Sequence, residues 1–232
     1  MSRRRTAAEA HRRTPLTRER VLAAALEMID EGGLDRFSMR RLAARLGVDP
    51  MAIYYHLPGK AAVLDGVVEE IMSEFRIPAA EGPVEQLRAV ARAYRDLLRR
   101  HPNALPIIST WPIQTTRAWG VLEEILEQLS RAGVNLANAV AIMQIASGLI
   151  NGLALAEVGP PPGGVPDRST EEKRAALSAI SPERFPHLAE ALARGGVPDM
   201  DEAFDLAIDL LIRGLLTPEG RLPGSTPAPP EP

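Results

Sequence analysis

Apolar residues recur along most of this chain at intervals of three and four positions, which is the period of amphipathic helices. The first such stretch follows Thr17, which can cap a helix, and stops before Gly32-Gly33. Its apolar face is formed by Val21, Leu22, Ala25, Leu26 and Ile29. No stretch alternates apolar and polar residues over the length of a strand. The pattern therefore predicts an all-α fold.

Two short helices are predicted next, with a tight turn between them. Ser38 can cap a helix that ends at about Leu46, and Gly47 then turns the chain. Asp49-Pro50 is a strong start signal, because Asp accepts free amide hydrogens and proline lacks one of the donors that go unpaired. The third helix ends by Leu57.

The helical period continues through the rest of the chain. The further predicted helices have the approximate bounds 60–75, 84–100, 115–131, 135–157, 170–180, 186–194 and 199–216. The stretch 135–157 is apolar on nearly every side, which predicts a central, buried helix. Residues 159–167 are too rich in Pro and Gly for regular structure, and the proline-rich end 218–232 is predicted to be disordered.

The composition of the 232 residues is that of an ordinary soluble protein. Hydrophobic residues make up 45% and the mean hydropathy is −0.07. No uninterrupted apolar run approaches the roughly 18 residues of a membrane helix, and the basic N-terminus lacks the apolar segment of a signal peptide. The absence of cysteine excludes disulfides, thiolate zinc sites and cysteine nucleophiles. We therefore expect a cytoplasmic protein.

Charge is distributed unevenly along the chain. Residues 1–60 hold 12 basic and 7 acidic side chains, whereas the remaining 172 hold 15 basic and 23 acidic ones. A basic end on an acidic body is expected where that end meets phosphate, although a solvated basic tail gives the same pattern. The arm with Arg3-Arg4-Arg5 and Arg12-Arg13 could enter a minor groove, but we favour non-specific phosphate affinity.

Three short helices with a tight glycine turn match a helix-turn-helix. Ile53 is expected to face inward, which leaves the other side of the third helix available for bases, sugars and phosphates. Arg40 and Arg41 could reach phosphates or a guanine edge, and Lys60 begins a helix where its charge favours a phosphate. Each residue also has a structural reading: a tyrosine in the core, a histidine that caps its helix, an arginine in solvent.

Residues 17–71 resemble the DNA-binding domain of the tetracycline-repressor (TetR) family. The likeness lies in "TRERVLAAALEMIDEGGLDRFSMRRLAARLGV", "PMAIYYH" and "GKAAVLDGV". It implies that the DNA-contact positions are Arg40, Pro50, Met51, Tyr54, Tyr55, His56 and Lys60. Pro50 departs from the tetracycline repressor, which carries a polar base-reading side chain there. The operator of that repressor is therefore not expected to carry over.

The C-terminal half resembles the same branch more weakly, in "HPNALPIISTWP", "QLSRAGVNLANAV" and "FDLAIDLLIRGLL". The resemblance implies a homodimer with a ligand-binding domain. Independently, the helices predicted at 135–157 and 199–216 carry more apolar surface than one small domain readily hides, and pairing them across a two-fold axis gives a four-helix interface. Gly148 and Gly152 allow close helix approach there. Burial within one monomer is the alternative.

The expected domains are a basic arm (1–15), a helix-turn-helix domain (16–71), a ligand-binding and dimerisation domain (72–217) and a tail (218–232). The expected ligand-binding residues are mainly apolar with a few polar groups, as is usual for ligand sites, and each could instead be plain core. They are Leu105, Ile107, Ile108, Trp111, Ile113, Trp119, Met143, Gln144, Ser147 and Asn151.

A metal-bound drug is not expected as the ligand. In the repressor, pocket histidines serve a magnesium–drug complex, and by alignment their places fall at Ile107 and Gly148, while its pocket arginine falls at Trp111. We expect an apolar effector, without metal or cofactor.

The sequence thus predicts a ligand-responsive DNA-binding regulator rather than an enzyme. The histidines, at positions 11, 56, 101 and 187, show no metal or triad spacing, and no serine has a nucleophile-elbow context. A homodimeric repressor released from a palindromic operator is the expected mechanism, with the fourth helix as the lever between domains. The alternative is a constitutive or activating DNA-binding protein of the same fold.

Overall fold

The part of the chain that the structure describes contains ten α-helices and no strands, as the helical period of the sequence predicts. The structure is a computed structural model, and it describes residues 15–110, 116–131, 133–158, 177, 179–196 and 199–215. The helices are α1 (Arg18–Gly32), α2 (Met39–Leu46), α3 (Pro50–His56), α4 (Lys60–Glu74), α5 (Pro83–Arg100), α6 (Leu105–Thr110), α7 (Thr116–Arg131), α8 (Leu136–Val158), α9 (Pro186–Gly195) and α10 (Met200–Leu215). The predicted all-α class is confirmed.

The capping residues read from the sequence start the first three helices. Thr17 Oγ1 accepts a hydrogen bond from the backbone of Arg20 at 3.3 Å, and Ser38 Oγ accepts one from Arg41 at 3.3 Å. Asp49 Oδ1 accepts from the backbone of Met51 at 2.8 Å. These bonds satisfy amide donors that have no partner inside the helix, which is why the predicted bounds agree closely with the observed ones.

Three short elements were not predicted. They are α6 and two single 3₁₀ turns, Leu34–Arg36 and Pro102–Ala104. Each is too short to show a period in the sequence. The N-terminal arm, the stretch 159–167 and the tail 218–232 lie outside the described residues, and so does most of the helix predicted at 170–180.

The first of two compact units comprises residues 1–76 and 96–124. Its core lies between α1 and α4, where side chains of both helices are fully buried; these include Val21, Leu22, Ile29, Val63, Val67 and Ile71. Helix α2 packs on α1, and α3 packs on α2. The turn Pro102–Ala104 contacts α1, and α6 contacts α4. The segment after α5 is therefore part of the same packed unit as the first four helices.

The second unit comprises residues 77–95 and 125–232. In it α8 contacts α10, and Phe204 of α10 is fully buried. Three ion pairs join α5 to α10 in antiparallel order, with N–O distances of 2.8, 2.9 and 2.7 Å. These rungs are Arg88 with Asp209, Arg92 with Asp205 and Arg95 with Asp201.

Helix α8 is less buried than its apolar sequence predicts. One stripe is covered, formed by Ala139, Ile142, Ile150 and Ala154. On other sides large side chains are about half exposed or more: Leu136, Val140, Ile145 and Leu155. The helix is long and apolar enough to cross a membrane by length and composition, with 22% of the relevant window buried. A single chain provides partners for one face of α8, so burial on every side does not follow from its composition.

Candidate functional site

The turn between α2 and α3 is built by backbone geometry that the sequence anticipates. Gly47 ends α2 with φ 68°, in the left-handed region that favours glycine, and its amide donates back to α2. Asp49 then caps α3, and Pro50 occupies its first turn. Ile53 is fully buried and anchors α3 on the unit. A seven-residue helix is thus held from one side only.

The opposite side of α3 faces solvent. Tyr55 is 89% exposed, Met51 70% and Tyr54 41%, so neither tyrosine is a core residue. His56 is half-buried and meets the edge of the Tyr55 ring, with ring centroids 5.4 Å apart. Large side chains rarely project together into water from so short a helix without a partner. Hydroxyl, imidazole and thioether groups on one face offer both hydrogen bonds and apolar contacts to a DNA groove.

The basic side chains around this face differ in what they contact. Arg41 Nη1 donates to the carbonyl of Arg36 at 3.0 Å. The Lys60 Nζ donates to the carbonyl of Phe37 at 3.4 Å and lies 5.6 Å from the centre of that ring. Arg40 is exposed, and within the described residues it has no hydrogen bond or ion pair. Lys60 therefore ties α4 to the turn before α2, whereas Arg40 is available to an outside partner.

Arg45 links α2 to α1 through two carboxylates. Its guanidinium contacts Glu31 at 2.7 Å and Glu27 at 3.0 Å, two residues one turn apart on α1. The hydrogen bonds that Arg45 donates to Glu31 and Glu27 raise the pKa of Arg45. This bidentate arrangement gives the turn a defined orientation on α1.

The expected ligand-binding residues of the first unit lie at different depths. Leu105 and Ile107 are buried and Ile108 is half-buried, all three on α6, whereas Trp119 on α7 is 54% exposed. Because α6 contacts α4, the buried residues of α6 belong to the packing that supports α4. Trp111 and Ile113 lie outside the described residues.

The remaining expected ligand-binding residues lie on α8, in the second unit. Met143, Ser147 and Asn151 are half-buried and Gln144 is exposed. They recur at three- and four-residue intervals, so they share one side of the helix. The Ser147 hydroxyl donates to the carbonyl of Gln144 at 3.1 Å, which leaves Asn151 as the polar group with a partner on another helix.

That partner is Tyr94 of α5, which is not among the ligand-binding residues predicted from the sequence. Its hydroxyl donates to Asn151 Oδ1 at 3.0 Å. Burial raises the pKa of Tyr94 to about 12, and the hydrogen bond to Asn151 opposes the shift. Tyr94 and Asn151 are 57 positions apart in the chain, so no local pattern links them.

A second feature missed from the sequence is the environment of His101. The ring is buried, with Nδ1 3.0 Å from Asp30 Oδ2 and Nε2 3.2 Å from Glu74 Oε2. The two carboxylates are on opposite sides of the ring, which is not the geometry of a shared metal ion. No group of three His, Cys, Asp or Glu residues that could hold a metal is found among the described residues.

A short helix that projects exposed aromatic and basic groups after a tight turn defines this protein as a helix-turn-helix DNA-binding protein with an appended helical domain. The family follows from the comparison with known proteins. The chain belongs to the TetR family of transcriptional regulators: the family "Bacterial regulatory proteins, tetR family" matches residues 21–67, and "Tetracyclin repressor-like, C-terminal domain" matches residues 78–218. Members of this family are DNA-binding regulators and not enzymes.

Several curated proteins are similar to the chain. An HTH-type transcriptional regulator of Saccharopolyspora erythraea is 31% identical over 61% of this chain, and the match spans about three fifths (61%) of that relative. The HTH-type transcriptional repressor DrrR1 of Streptomyces coeruleorubidus is 30% identical, over 80% of this chain and 67% of its own length. The class D tetracycline repressor protein of Escherichia coli is 29% identical, over 86% and 88%.

Solved structures of ActR from Streptomyces coelicolor share the fold. Apo ActR superposes with a TM-score of 0.77 at 24% identity, covering 89% of this chain and 97% of ActR. ActR in complex with actinorhodin gives a TM-score of 0.76 at 25% identity, covering 88% and 96%. Helix α8 lies within the residues that match "Tetracyclin repressor-like, C-terminal domain", so it is a helix of that domain despite its apolar composition.

Proposed function

We propose that this TetR-family regulator is a homodimeric repressor that leaves a palindromic operator when a small, largely apolar effector binds. The observation that carries the proposal is the exposed face of α3, which is held from one side by Ile53. Arg40, Pro50, Met51, Tyr54, Tyr55, His56 and Lys60 are the proposed DNA-contact residues. The proposed compartment is the cytoplasm, where the operator is.

The homodimer is supported by apolar surface that one chain leaves uncovered. Leu206 and Leu210 of α10 are 61% and 62% exposed, and several apolar residues of α8 are exposed as well. A Cβ added at Gly148 or Gly152 would meet nothing within 4 Å, so α8 has room for close approach there. Two helices from each subunit would form a four-helix interface, and exposed patches of this kind mark interaction sites.

The proposed domain boundaries separate DNA binding from effector binding and dimerisation. We propose that residues 16–71 read DNA and that residues 72–217 bind the effector and pair the subunits, with 1–15 as a basic arm and 218–232 as a tail. A dimer of two-fold symmetry presents two α3 helices, and these fit half-sites about 34–36 Å apart, one turn of DNA.

The effector site is proposed on residues that are largely apolar. The described candidates within the first unit are Leu105, Ile107, Ile108 and Trp119. Those within the second unit are Met143, Gln144, Ser147 and Asn151, and Trp111 and Ile113 complete the set. ActR, a similar protein, binds actinorhodin, which supports a small-molecule effector here. Ile107 and Gly148, at the places of the repressor's metal-serving histidines, favour an effector bound without metal.

The release step is proposed as a population shift. Helix α4 contacts both α1, which carries the helix-turn-helix, and α6, which carries candidate effector residues. An effector that favours a different position of α6 would displace α4 and change the spacing of the two α3 helices. An effector without differential affinity for the two arrangements would shift nothing.

The test is selection of bound duplexes from a random DNA pool. Wild-type protein is compared with Tyr55→Ala, which alters a side chain 89% exposed, and with Phe185→Ala, an exposed aromatic (47%) of the second unit as the control. We expect a palindromic consensus for the wild type and Phe185→Ala, and its loss in Tyr55→Ala. Salt-sensitive binding with no consensus would contradict sequence reading by α3.

A single half-site in place of a palindrome would overturn the homodimer. Screening small molecules for release of the selected duplex then separates the repressor from the constitutive or activating alternative. Failure of apolar compounds to release it would favour that alternative.

A further inference from the structure

His101 occupies an unusual position for an ionisable side chain. It follows directly after α5, and 7% of the residue is exposed. Its two ring nitrogens face carboxylates from two different helices: Asp30 near the end of α1 and Glu74 at the end of α4. All three residues belong to the first unit. We call Asp30, Glu74 and His101 the His101 joint.

Both ring nitrogens of His101 can donate to a carboxylate when each of them carries a proton. A neutral imidazole has one N–H and one lone pair, whereas an imidazolium donates from both nitrogens. Carboxylates accept and do not donate, so distances of 3.0 Å and 3.2 Å on the two sides are both hydrogen bonds when His101 carries two hydrogens. With one hydrogen, one carboxylate would face a lone pair at the same distance.

The other polar groups around the ring reinforce this arrangement. Asn103 Nδ2 donates to the carbonyl of Asp30 at 2.7 Å, and Arg100 Nε lies 3.4 Å from Glu74 Oε2. Arg76, just beyond α4, donates to backbone carbonyls. Glu31, the next carboxylate on α1, is paired with Arg45. The charged groups that face the ring are thus two carboxylates, one of them shared with an arginine.

Burial raises the pKa of the Asp30 carboxyl, and His101 opposes that shift. Burial therefore favours a proton at the joint, because it disfavours the bare carboxylate of Asp30.

We propose that the His101 joint makes DNA binding sensitive to pH, because an additional proton holds the ends of α1 and α4 to the segment that follows α5. The inference rests on the proposed function, since it concerns the same helix-turn-helix. With the proton present, two charge-assisted hydrogen bonds connect α1, α4 and residues 101–104. Without the proton, one of the two hydrogen bonds is lost, and a ring-nitrogen lone pair repels the carboxylate that it faces. Helix α1, on which α2 and α3 pack, is then held less tightly.

The expected direction is weaker DNA binding as the pH rises. A loosened α1 and α4 must be ordered again when α3 docks, and that ordering opposes binding. The comparison is made between about pH 6 and about pH 8.5, because histidine is the side chain whose charge ordinarily changes near neutral pH.

Glu74→Gln is the variant that isolates the proton. A neutral imidazole can donate from Nδ1 to Asp30 and accept at Nε2 from the amide of Gln, so the joint is complete without the additional proton. This variant also removes the contact to Arg100, and Arg100→Gln is the matched control for that loss. His56 and the phosphate contacts are the same in all three proteins.

The measurements are the DNA dissociation constant on a selected duplex and the thermal midpoint, each at about pH 6 and about pH 8.5. We expect the wild-type dissociation constant to rise at least about fivefold more than that of Glu74→Gln, with Arg100→Gln following the wild type. The thermal midpoint of the wild type should also fall relative to Glu74→Gln as the pH rises. If Glu74→Gln does not fold, His101→Gln, which takes up no proton, should give the same flat profile.

Parallel profiles of the wild type and Glu74→Gln in both measurements would overturn the proposal. If no protein selects a duplex, the proposed function fails together with the pH effect on DNA. The thermal midpoints distinguish the two failures. If the pH-dependent difference in midpoint between the wild type and Glu74→Gln persists, the joint takes up a proton but has no role in DNA binding.

Discussion

Two neighbouring arginines on α2 share exposure and charge but differ in what surrounds them. Arg41 donates to the carbonyl of Arg36, whereas Arg40 has no such contact within the described part of the chain. A guanidinium already directed at a carbonyl must give up that bond to reach a phosphate, so its net contribution to DNA binding is smaller.

We therefore expect Arg40→Ala to weaken DNA binding and Arg41→Ala to weaken it less. If Arg40 contacts a phosphate, its loss should lower affinity on all sequences and reduce the slope of log affinity against log salt by about one. Binding isotherms over a salt series check both variants. Equal slopes for wild type and Arg40→Ala would remove Arg40 from the phosphate contacts.

At the residue scale, local chemistry was predictable and distant contacts were not. Thr17, Ser38 and Asp49 could be identified as caps because a cap contacts an amide two or three residues away. The contacts of His101 and Tyr94 could not be predicted, because their partners are 27 to 71 positions away in the chain and no local pattern connects them. Burial of each polar side chain depends on how helices meet, which periodicity does not specify.

At the scale of elements, α1 and α4 approach each other closely at Gly66. A Cβ built at this position lies 2.4 Å from Leu22 Cδ2, and Leu22 is fully buried. Helix α4 therefore needs a residue without a side chain where it crosses α1. Gly120, on α7, offers a contrast, since a Cβ there meets nothing within 4 Å.

Gly66→Ala should destabilise the protein by about 1–3 kcal/mol, because a buried leucine must leave its rotamer or the helices must separate. Gly120→Ala should be neutral or stabilising by up to about 1 kcal/mol, the gain in helix propensity. Chemical denaturation of both variants measures the two changes. Equal stabilisation by the two alanines would show that Leu22 moves aside freely.

The arginines of α5 that pair with α10 differ in burial, and the most buried of them, Arg95, also pairs with α8. Arg95 is 6% exposed; it contacts Glu157 at 3.1 Å and lies 4.6 Å from the centre of the Phe204 ring. In the pair of Arg92 with Asp205, both side chains are more than half exposed. Buried pairs are costly to break because a charge is left without its partner, whereas exposed ones contribute little.

Arg95→Met should cost about 2–4 kcal/mol of unfolding free energy and Arg92→Met less than about 1 kcal/mol, although both remove one positive charge. Urea unfolding of the two variants tests this difference. Comparable losses of unfolding free energy in the two variants would mean that burial does not determine the strength of these ion pairs.

The spacing of apolar residues predicts the helices well, but the apolar composition of α8 does not predict how much of that helix is buried. Composition alone favours burial on all sides, but a single chain covers one stripe of this helix. The sequence contains both facts, because the helices predicted at 135–157 and 199–216 carry more apolar surface than one small domain readily hides. What it lacks is the partner against which a face packs.

At the scale of the whole molecule, the proposed dimer predicts a specific loss. Leu210 is 62% exposed on α10 in one chain, so Leu210→Glu should leave the monomer folded while placing charges in the proposed four-helix interface. We expect a monomer in sedimentation velocity and at least a tenfold drop in affinity, by about the lost avidity of two half-sites. Leu188→Glu, on α9, is the control and should stay dimeric. A dimer in both variants would move the interface away from α10.

The most direct test of sequence reading by α3 compares affinities for the selected duplex and a scrambled one, in wild type and Tyr55→Ala. We predict that the wild type prefers the selected duplex by about a thousandfold or more. Tyr55→Ala should lose at least about tenfold of that preference with little change in salt slope, because this tyrosine would contact bases and sugars. An unchanged preference in Tyr55→Ala, or a wild type that binds both duplexes equally, would contradict the account.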